Sequence, residues 1–359
     1  MSIDKLEQAR DLLEESPAKA LKELPSAASL PAALRAERHY LAAEAWRAMG
    51  YFERAETFYG KVLTKSTARE DAPLWIEAAL GSAAGLRSIG VVAAAYRRVR
   101  GAEKLARLEN LPNNKKQFAL ERALIERAAG RYLPSLKMLR PMLASALRDK
   151  SFAEAAFLLW AIGGAERFSG DLAASEASFL RSKKLAAQAR DRVGEGYALF
   201  GLGGVTRIRG RLEDSARCYA AAARLFHASD DHFARAYAYC GYGNALRQLG
   251  RLRQAEIHYR KSHRLYSQLG DAVDLAYVDW GLGEVNLRRG KLREAAGFYR
   301  KSLAAFRKHA ETRGEVLAGT ALARCLHAQG STAEAERLFA QSYRLSRRAG
   351  IHAHIESFT

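Results

Sequence analysis

The side chains whose types could support catalysis or metal binding are few and isolated. Residues 201–204 read Gly-Leu-Gly-Gly, the composition of a phosphate-binding loop, but they lie in a helical pattern with no strand before them. His352 and His354 lie two residues apart without a third metal ligand. Asp279 and Glu284, five residues apart, point to different sides of a helix, which does not suit paired acid–base chemistry. The sequence predicts no enzyme, no metal site and no cofactor.

The cysteines and the N-terminus indicate the compartment. Cys218, Cys240 and Cys325 are far apart, odd in number and without CxxC spacing, which predicts reduced, buried thiols. The first residues are acidic where a secretory signal needs a basic end, and no apolar run reaches about 18 residues. We expect a soluble, cytoplasmic protein with no membrane span.

The chain is strongly basic. Its net charge is +19, from 58 basic and 39 acidic residues, spread along the sequence and not gathered in a tail. Such a surplus favours anionic partners: acidic peptides, nucleic acid or an anionic membrane face. An arginine-rich composition of the source organism would explain the charge equally well, so charge alone does not identify the partner.

Glycine recurs every 40 residues along most of the chain, which indicates an internal repeat. It does so eight times, at Gly50, Gly90, Gly130, Gly170, Gly210, Gly250, Gly290 and Gly330. Seven residues before each glycine the side chain is small, at Ala43, Ala83, Ala123, Gly163, Gly203, Gly243, Gly283 and Ala323. Five residues after it stands Ala or Ser, at Ala55, Ala95, Ser135, Ser175, Ser215, Ala255, Ala295 and Ala335. Nine residues after it stands a large apolar side chain, at Tyr59, Val99, Leu139, Phe179, Tyr219, Tyr259, Tyr299 and Phe339.

A hairpin of two helices, A and B, explains these columns. The glycine provides the positive φ that ends helix A and starts helix B. The small columns let the two helices approach closely, and the large column fills the gap that remains. Asp149, Asp191, residues 230–231 and Asp271 mark the turns between hairpins, where an aspartate can cap the next helix.

The regularity of the pattern divides the chain into four segments. Residues 1–30 form a degenerate N-terminal capping hairpin, with helices over 3–14 and 17–24. Residues 31–150 hold less regular repeats, residues 151–349 hold regular ones, and residues 350–359 are a tail. Pro141 falls within a helix B and should kink it, so we expect any bend between the two halves there.

The column pattern resembles the tetratricopeptide repeat. Leu202-Gly203 with Ser215 and Tyr219 shows it well, and the likeness covers residues 31–349. The resemblance implies an all-α fold, a right-handed solenoid of about eight to nine helical hairpins. The 40-residue period exceeds the usual 34, and the proline that normally closes helix B is missing. Both departures are similar to kinesin light chains, Pins-type polarity adaptors and peptide-responsive bacterial regulators.

The resemblance also implies which side chains face a ligand. In the family, helix A lines the concave groove at thirteen, ten, six, three and two residues before the turn glycine. Three before it, six of eight repeats carry arginine, at Arg47, Arg87, Arg127, Arg167, Arg207 and Arg247. At thirteen and ten, repeats four to seven are rich in aromatics, namely Phe157, Trp160, Tyr197, Phe200, Tyr237, Tyr277 and Trp280. Asn244, Glu284 and Arg288 share this face, and Asn244 matches the backbone-clamping asparagine of Pins-type adaptors.

Arginine and aromatic side chains together are typical of an interaction hot spot. Two plainer interpretations stay open. Aromatics at helical spacing often pack in the core, and arginine near the end of a helix offsets the helix dipole.

The sequence therefore predicts a non-enzymatic scaffold, adaptor or co-regulator that binds an acidic peptide or helix in its groove. The first alternative is RNA or single-stranded nucleic-acid binding in a basic, aromatic-lined groove. The second is binding of a small anionic ligand.

Overall fold

The computed structural model describes residues 2–111 and 115–351, so His352, His354 and most of the predicted tail lie outside the described residues. Within these ranges the chain forms 19 α-helices and one 3₁₀ turn (Ala27–Ser29), with no strand. Within the units, most consecutive helices pack against each other and are joined by short turns. The predicted all-α fold built of helical hairpins is confirmed.

The helices fall into two compact units. Unit 1 consists of Met1–Ala198 and Leu225–Phe233, and unit 2 of Leu199–Arg224 and Ala234–Thr359. The helices of unit 1 are α1 (Ser2–Leu12), α2 (Pro17–Glu23), α3 (Ala32–Ala48), α4 (Phe52–Val62), α5 (Lys65–Glu70), α6 (Ala72–Ser88), α7 (Val92–Leu108), α8 (Lys115–Ala128), α9 (Tyr132–Arg148), α10 (Phe152–Ser169) and α11 (Leu172–Gln188). Three helices have residues in both units: α12 (Arg192–Ile208), α13 (Leu212–His227) and α14 (His232–Gln248). The helices of unit 2 are α15 (Leu252–Leu269), α16 (Ala272–Arg288), α17 (Leu292–Lys308), α18 (Thr312–Ala328) and α19 (Thr332–Arg348).

The turn glycines behave as predicted. All eight have φ between 75° and 94°, the left-handed conformation that glycine adopts without strain. The turns between hairpins also need positive φ, and there Asn110, Lys150, Arg190 and Ala310 supply it at 50° to 58°. No sequence pattern indicates these four positions, because side chains other than glycine rarely take this conformation.

The columns of small and large side chains meet as predicted. A Cβ added to Gly243 would lie 2.8 Å from the ring of Tyr259, and one added to Gly163 would lie 3.1 Å from Phe179. The serines of the column after the turn add a hydrogen bond, since the Ser175 hydroxyl donates to the Gly163 carbonyl at 2.7 Å. Close helix approach and a filled gap thus come from the same residues.

The N-terminal hairpin of unit 1 is tied to a segment distant in sequence. Helix α2 starts after Ser16, and the Asp230 carboxylate accepts hydrogen bonds from the Ser16 hydroxyl and the Ala18 amide, both at 3.2 Å. The His232 amide donates to the Met49 carbonyl at 3.3 Å. Contacts across about 200 residues leave no local pattern, so sequence reasoning missed them.

The predicted caps are correct in part. Asp191 and Asp271 accept from backbone amides of the following helices at 2.8 and 2.9 Å. Asp149 is not an N-cap: it ends α9 and accepts from the Ser145 hydroxyl at 3.2 Å. Helix α9 continues through Pro141, and the bend expected there stays a prediction.

Candidate partner-binding surface

The arginines three residues before the turn glycines contact neighbouring side chains, and two of them are buried. Arg47 Nε donates to the Tyr59 hydroxyl at 3.1 Å, and Arg87 Nε donates to Glu121 at 2.6 Å. Arg207 is 6% exposed and Arg247 is 1% exposed. The expected row of groove-facing guanidinium groups is therefore wrong for Arg207 and Arg247, because these side chains lie in the protein interior.

A buried polar network in unit 2 explains Arg247. Its Nε donates to the Tyr259 hydroxyl at 3.2 Å, and that hydroxyl donates to the Asn244 Oδ1 at 2.6 Å. The next helix A supplies the countercharge, with the Arg247 Nη1 3.7 Å from the Glu284 Oε2. Burial raises the pKa of Tyr259 to about 12, so its hydroxyl stays protonated and acts as a donor.

Glu284 is the centre of this network. Its Oε1 accepts from the Tyr299 hydroxyl at 2.6 Å and from Arg324 at 2.8 Å, and the residue is 3% exposed. Burial, and then the adjacent carboxylate, raise the pKa of Tyr299. Asn244 and Glu284, predicted to contact a partner, are thus engaged inside the repeats and not presented to solvent.

The same arrangement occurs in the first repeat of unit 1. There Glu44 accepts from both Arg47 and Tyr59, at the spacing that Asn244, Arg247 and Tyr259 have in unit 2. Sequence reasoning treated each column separately and missed the link. The signal was present: repeats with a tyrosine nine residues after the turn glycine usually have a polar residue six before it.

The aromatic column of unit 1 remains partly accessible. Phe157 is 41% exposed, and its ring centroid lies 5.7 Å from that of Trp160, which is half-buried. The Arg127 guanidinium lies 4.8 Å from the Trp160 ring centroid, a cation–π geometry. Tyr197 stacks edge-on with Trp160 at 5.4 Å and donates to Asp231 at 2.6 Å. Burial, and then Asp231, hold the Tyr197 pKa well above its usual value.

Arg167 completes this surface. It shares a face of α10 with Phe157 and Trp160, because positions 157, 160 and 167 recur at helical spacing. Its Nε is buried and has no hydrogen-bond partner among the described residues. We refer to Arg127, Phe157, Trp160 and Arg167 as the α8–α10 patch.

The aromatic column of unit 2 is mostly core. Trp280 is 1% exposed beneath Arg247, whose guanidinium lies 4.9 Å from its ring centroid, and Phe200 is 8% exposed. Both were predicted to contact a partner and are instead packed inside. Tyr237 is 37% exposed and stacks on Phe200 at 4.1 Å, while Tyr277 is half-buried.

Tyr277 donates to Glu311 at 2.8 Å, and burial, followed by that carboxylate, raises its pKa. Of the predicted polar partners in unit 2, only Arg288 is exposed. Four of the fourteen predicted residues thus lie in the α8–α10 patch of unit 1, whereas most of those in unit 2 are internal.

The catalytic candidates lie apart. Asp279 is 1% exposed and pairs with Lys301 at 2.9 Å, away from the Glu284 network. Residues 201–204 lie in α12, as predicted. Over residues 2–111 and 115–351, no group of three His, Cys, Asp or Glu side chains could hold a metal ion.

The cysteines are free thiols and only partly fit the prediction. Cys325 is buried as predicted, but Cys218 and Cys240 are half-buried. Burial raises the pKa of Cys240 to about 12. None of the described helices is long and apolar enough to span a membrane.

Comparison with known proteins agrees with the column pattern. The tetratricopeptide repeat family model matches residues 195–268 and 234–308. No curated protein matches the sequence.

Several solved structures share the fold. One is NprR in complex with its cognate peptide NprX, at 14% identity and TM-score 0.62, with 77% of this chain and 80% of that chain covered. Another is a Rap protein complexed with competence and sporulation factor, at 15% identity and TM-score 0.60, with 76% of each chain covered. A third is aspartyl phosphate phosphatase F from Bacillus subtilis, at 12% identity and TM-score 0.58, with 95% and 93% covered.

The 40-residue glycine period, the packing of small residues against the following aromatic column and the family match over residues 195–268 and 234–308 describe one architecture, a helical array of tetratricopeptide-type repeats.

Proposed function

We propose that this protein is a non-enzymatic cytoplasmic scaffold or co-regulator that holds a peptide or helix of another protein against the α8–α10 patch. The observation that carries the proposal is the cluster itself. A 41% exposed phenylalanine adjoins a half-buried tryptophan that an arginine covers. Aromatic and arginine side chains of this kind dominate the energetics of protein interfaces, because they contribute large contact areas for little ordering entropy.

The charge of the patch favours an acidic segment. Arg127 and Arg167 are its only ionisable members, and both are cations. A carboxylate that reached the buried Nε of Arg167 would satisfy a donor that no described residue satisfies, so its binding would cost less desolvation than binding elsewhere. The cation–π contact of Arg127 with Trp160 holds the second guanidinium in place.

The solved structures support a peptide as the ligand class. Two proteins of the same fold, NprR and a Rap protein, are described as complexes with a cognate peptide and with competence and sporulation factor. A third is described as an aspartyl phosphate phosphatase. In this chain the acidic side chains considered for catalysis, Asp279 and Glu284, are each paired with cations, which favours a structural role for them.

A peptide selected from a random library against the full chain tests the proposal. Its affinity is measured by fluorescence anisotropy for Phe157→Ala and Arg167→Ala. The controls are Leu180→Ala and Arg181→Ala, which truncate an exposed apolar side chain and an exposed arginine on α11. Each patch variant is expected to weaken binding at least about tenfold, as hot-spot truncations do, and each control less than about threefold.

Failure to select any peptide would overturn the proposal. Equal losses for patch and control variants would overturn it as well. An affinity that is insensitive to Arg167→Ala, but not to Phe157→Ala, would reject the acidic segment alone.

A further inference from the structure

The basic surplus of unit 2 lies on its B helices. Helices α15, α17 and α19 together carry thirteen Lys and Arg against four Asp and Glu. The A helices α14, α16 and α18 carry five against four. In unit 2, the positive charge that would attract an anion therefore lies on the B helices and not on the A helices that carry the predicted partner-binding side chains.

These cations are ordered in rows. Each B helix carries three arginines spaced seven and then four or seven residues apart, which places them on one helix face. The nine arginines are Arg253, Arg260 and Arg264 on α15, Arg293, Arg300 and Arg307 on α17, and Arg337, Arg344 and Arg348 on α19. All nine are exposed, and we refer to them as the arginine face.

Intramolecular pairing does not account for these residues. Arg260 pairs with Glu256 at 2.7 Å and Arg307 with Glu315 at 2.9 Å, but the other seven form no ion pair with any described residue. The helix dipole stabilises cations in the last turn and so explains Arg307 and Arg348. It does not reach the arginines of the first and middle turns, where like charges at i and i+4, such as Arg260 and Arg264, cost a few tenths of a kcal/mol, ~0.2–0.5 per pair.

The side chains between the arginines indicate the kind of partner. Most are small or polar, and they include Glu256, Gly297, Ala304, Ala340 and Gln341, with Ile257 as the one large apolar side chain. Phe339 and Tyr343, the exposed rings of α19, fall on other sides of that helix at 3.6 residues per turn. A protein interface needs an apolar or aromatic centre, single-stranded nucleic acid needs aromatic rings for base stacking, and membrane insertion needs a broad apolar face. Rows of arginine separated mainly by small and polar side chains match a regular array of phosphates, which guanidinium groups bind bidentately.

We propose that the arginine face of unit 2 binds the phosphate backbone of double-stranded nucleic acid without reading its sequence. The contacts are electrostatic and release counterions, so affinity falls steeply with salt. This surface is independent of the α8–α10 patch, and either proposal can fail without the other.

The test measures fluorescence anisotropy of the full chain with a labelled duplex DNA and a duplex RNA of equal length, at several salt concentrations. The variant Arg264→Gln/Arg300→Gln/Arg344→Gln removes one unpaired arginine from each row. The control Arg131→Gln/Arg192→Gln/Arg217→Gln removes the same charge from exposed arginines that pair with neighbouring carboxylates. All six side chains are exposed, so both proteins are expected to keep the helical circular dichroism of the wild type.

The wild type is expected to bind at low salt. Each phosphate contact contributes about 0.9 to the slope of log affinity against log salt for duplex DNA, so the variant should lose about 2.7 from that slope. The control should keep the wild-type slope within about 1. Helix α7 of unit 1 carries a comparable row, at Arg97, Arg100, Lys104 and Arg107, so residual binding by the variant is expected. A preference between the two duplexes decides whether DNA or RNA is the ligand.

Three results would overturn the proposal. One is no duplex binding at low salt, and another is the same slope for variant and control. The third is stronger binding to polyglutamate or to anionic phospholipid vesicles than to either duplex, which would assign the face to an acidic protein or to a membrane.

Discussion

Replacing Glu284 with alanine is expected to destabilise α16 and α17 by about 3–5 kcal/mol, because it removes the carboxylate from a buried ion pair. Glu284 is 3% exposed, and the Arg247 guanidinium that faces it at 3.7 Å is 1% exposed. The substitution also removes the acceptor of the Tyr299 hydroxyl, which lies at 2.6 Å. A buried cation that loses its countercharge has no access to water, which sets the size of the loss.

Two neighbouring substitutions serve as controls for this value. Arg324 donates to the same carboxylate at 2.8 Å, but its side chain is 44% exposed, so Arg324→Ala should cost only about 0–1 kcal/mol. Tyr299→Phe removes one hydrogen bond to a charged acceptor and should cost about 1.5–3 kcal/mol. The largest loss is expected for the buried Glu284 and the smallest for the exposed Arg324, although Arg324 lies closer to the Glu284 carboxylate than Arg247 does.

Hydrogen–deuterium exchange of peptides from α16 and α17 is the suitable assay, because an array of repeats need not unfold in a single step. A loss of about 3 kcal/mol should speed exchange there more than a hundredfold, since each 1.4 kcal/mol is about tenfold. A loss below about 1 kcal/mol, or equal losses for Glu284→Ala and Arg324→Ala, would refute the burial argument. Arg247→Met/Glu284→Leu should recover most of the stability, since apolar replacements of a buried ion pair are often neutral.

Two further predictions concern packing and pH. Gly243→Ala should lower the thermal midpoint, because the added Cβ would lie 2.8 Å from the Tyr259 ring and overpacking costs about 1–3 kcal/mol. Gly297 is also helical but has open space around it, so Gly297→Ala should instead stabilise the protein by about 0.5–1 kcal/mol. Burial lowers the pKa of His258 from 6.5 to about 4. Between these pH values the unfolded chain binds a proton that the folded chain does not, so the free energy of unfolding should fall as the pH drops from about 6.5 to about 4. Solvent screening reduces the size of this effect, and denaturant melts of His258→Gln should show a flatter pH dependence in that window, whereas an unchanged profile would contradict the assignment.

The hairpin architecture could be predicted because each of its requirements falls on a single residue type. A left-handed turn selects glycine, and close helix approach selects glycine, alanine or serine. Both recur at a fixed distance, so the columns give the helices and their order. At Gly163 and Gly243 the predicted partners, Phe179 and Tyr259, lie where the columns place them.

The candidate site could be predicted less well because side-chain burial depends on pairs that cross columns. Arg247 meets Glu284 from the next repeat, and Tyr197 meets Asp231. A family register gives the face of a helix on which a side chain lies. It does not show whether a group on the neighbouring helix covers that side chain, as the Arg247 guanidinium covers the ring of Trp280.

Contacts between segments far apart in sequence were beyond prediction for a different reason. Asp230 was expected to mark a turn and cap the helix that follows it, yet its carboxylate binds at the start of α2 instead. Helix α2 has seven residues, so its exposed amide groups gain much from an external acceptor. Nothing near Ser16 in the sequence identifies that acceptor.

Arginine has two roles in unit 2, and pairing distinguishes them. On the A helix α14, Arg247 is buried, and a buried guanidinium is stable only if tyrosine hydroxyls, carboxylates or rings satisfy it. On the B helices, Arg264, Arg300 and Arg344 remain in water and need no such partner. In unit 2, the positive charge that contributes to the net +19 of the chain therefore comes mainly from the solvent-facing B helices, because the charges of the A helices nearly cancel. For this reason, a ligand of the A-helix surface is selected by aromatic contact and one or two cations, whereas a ligand of the arginine face is selected by charge density.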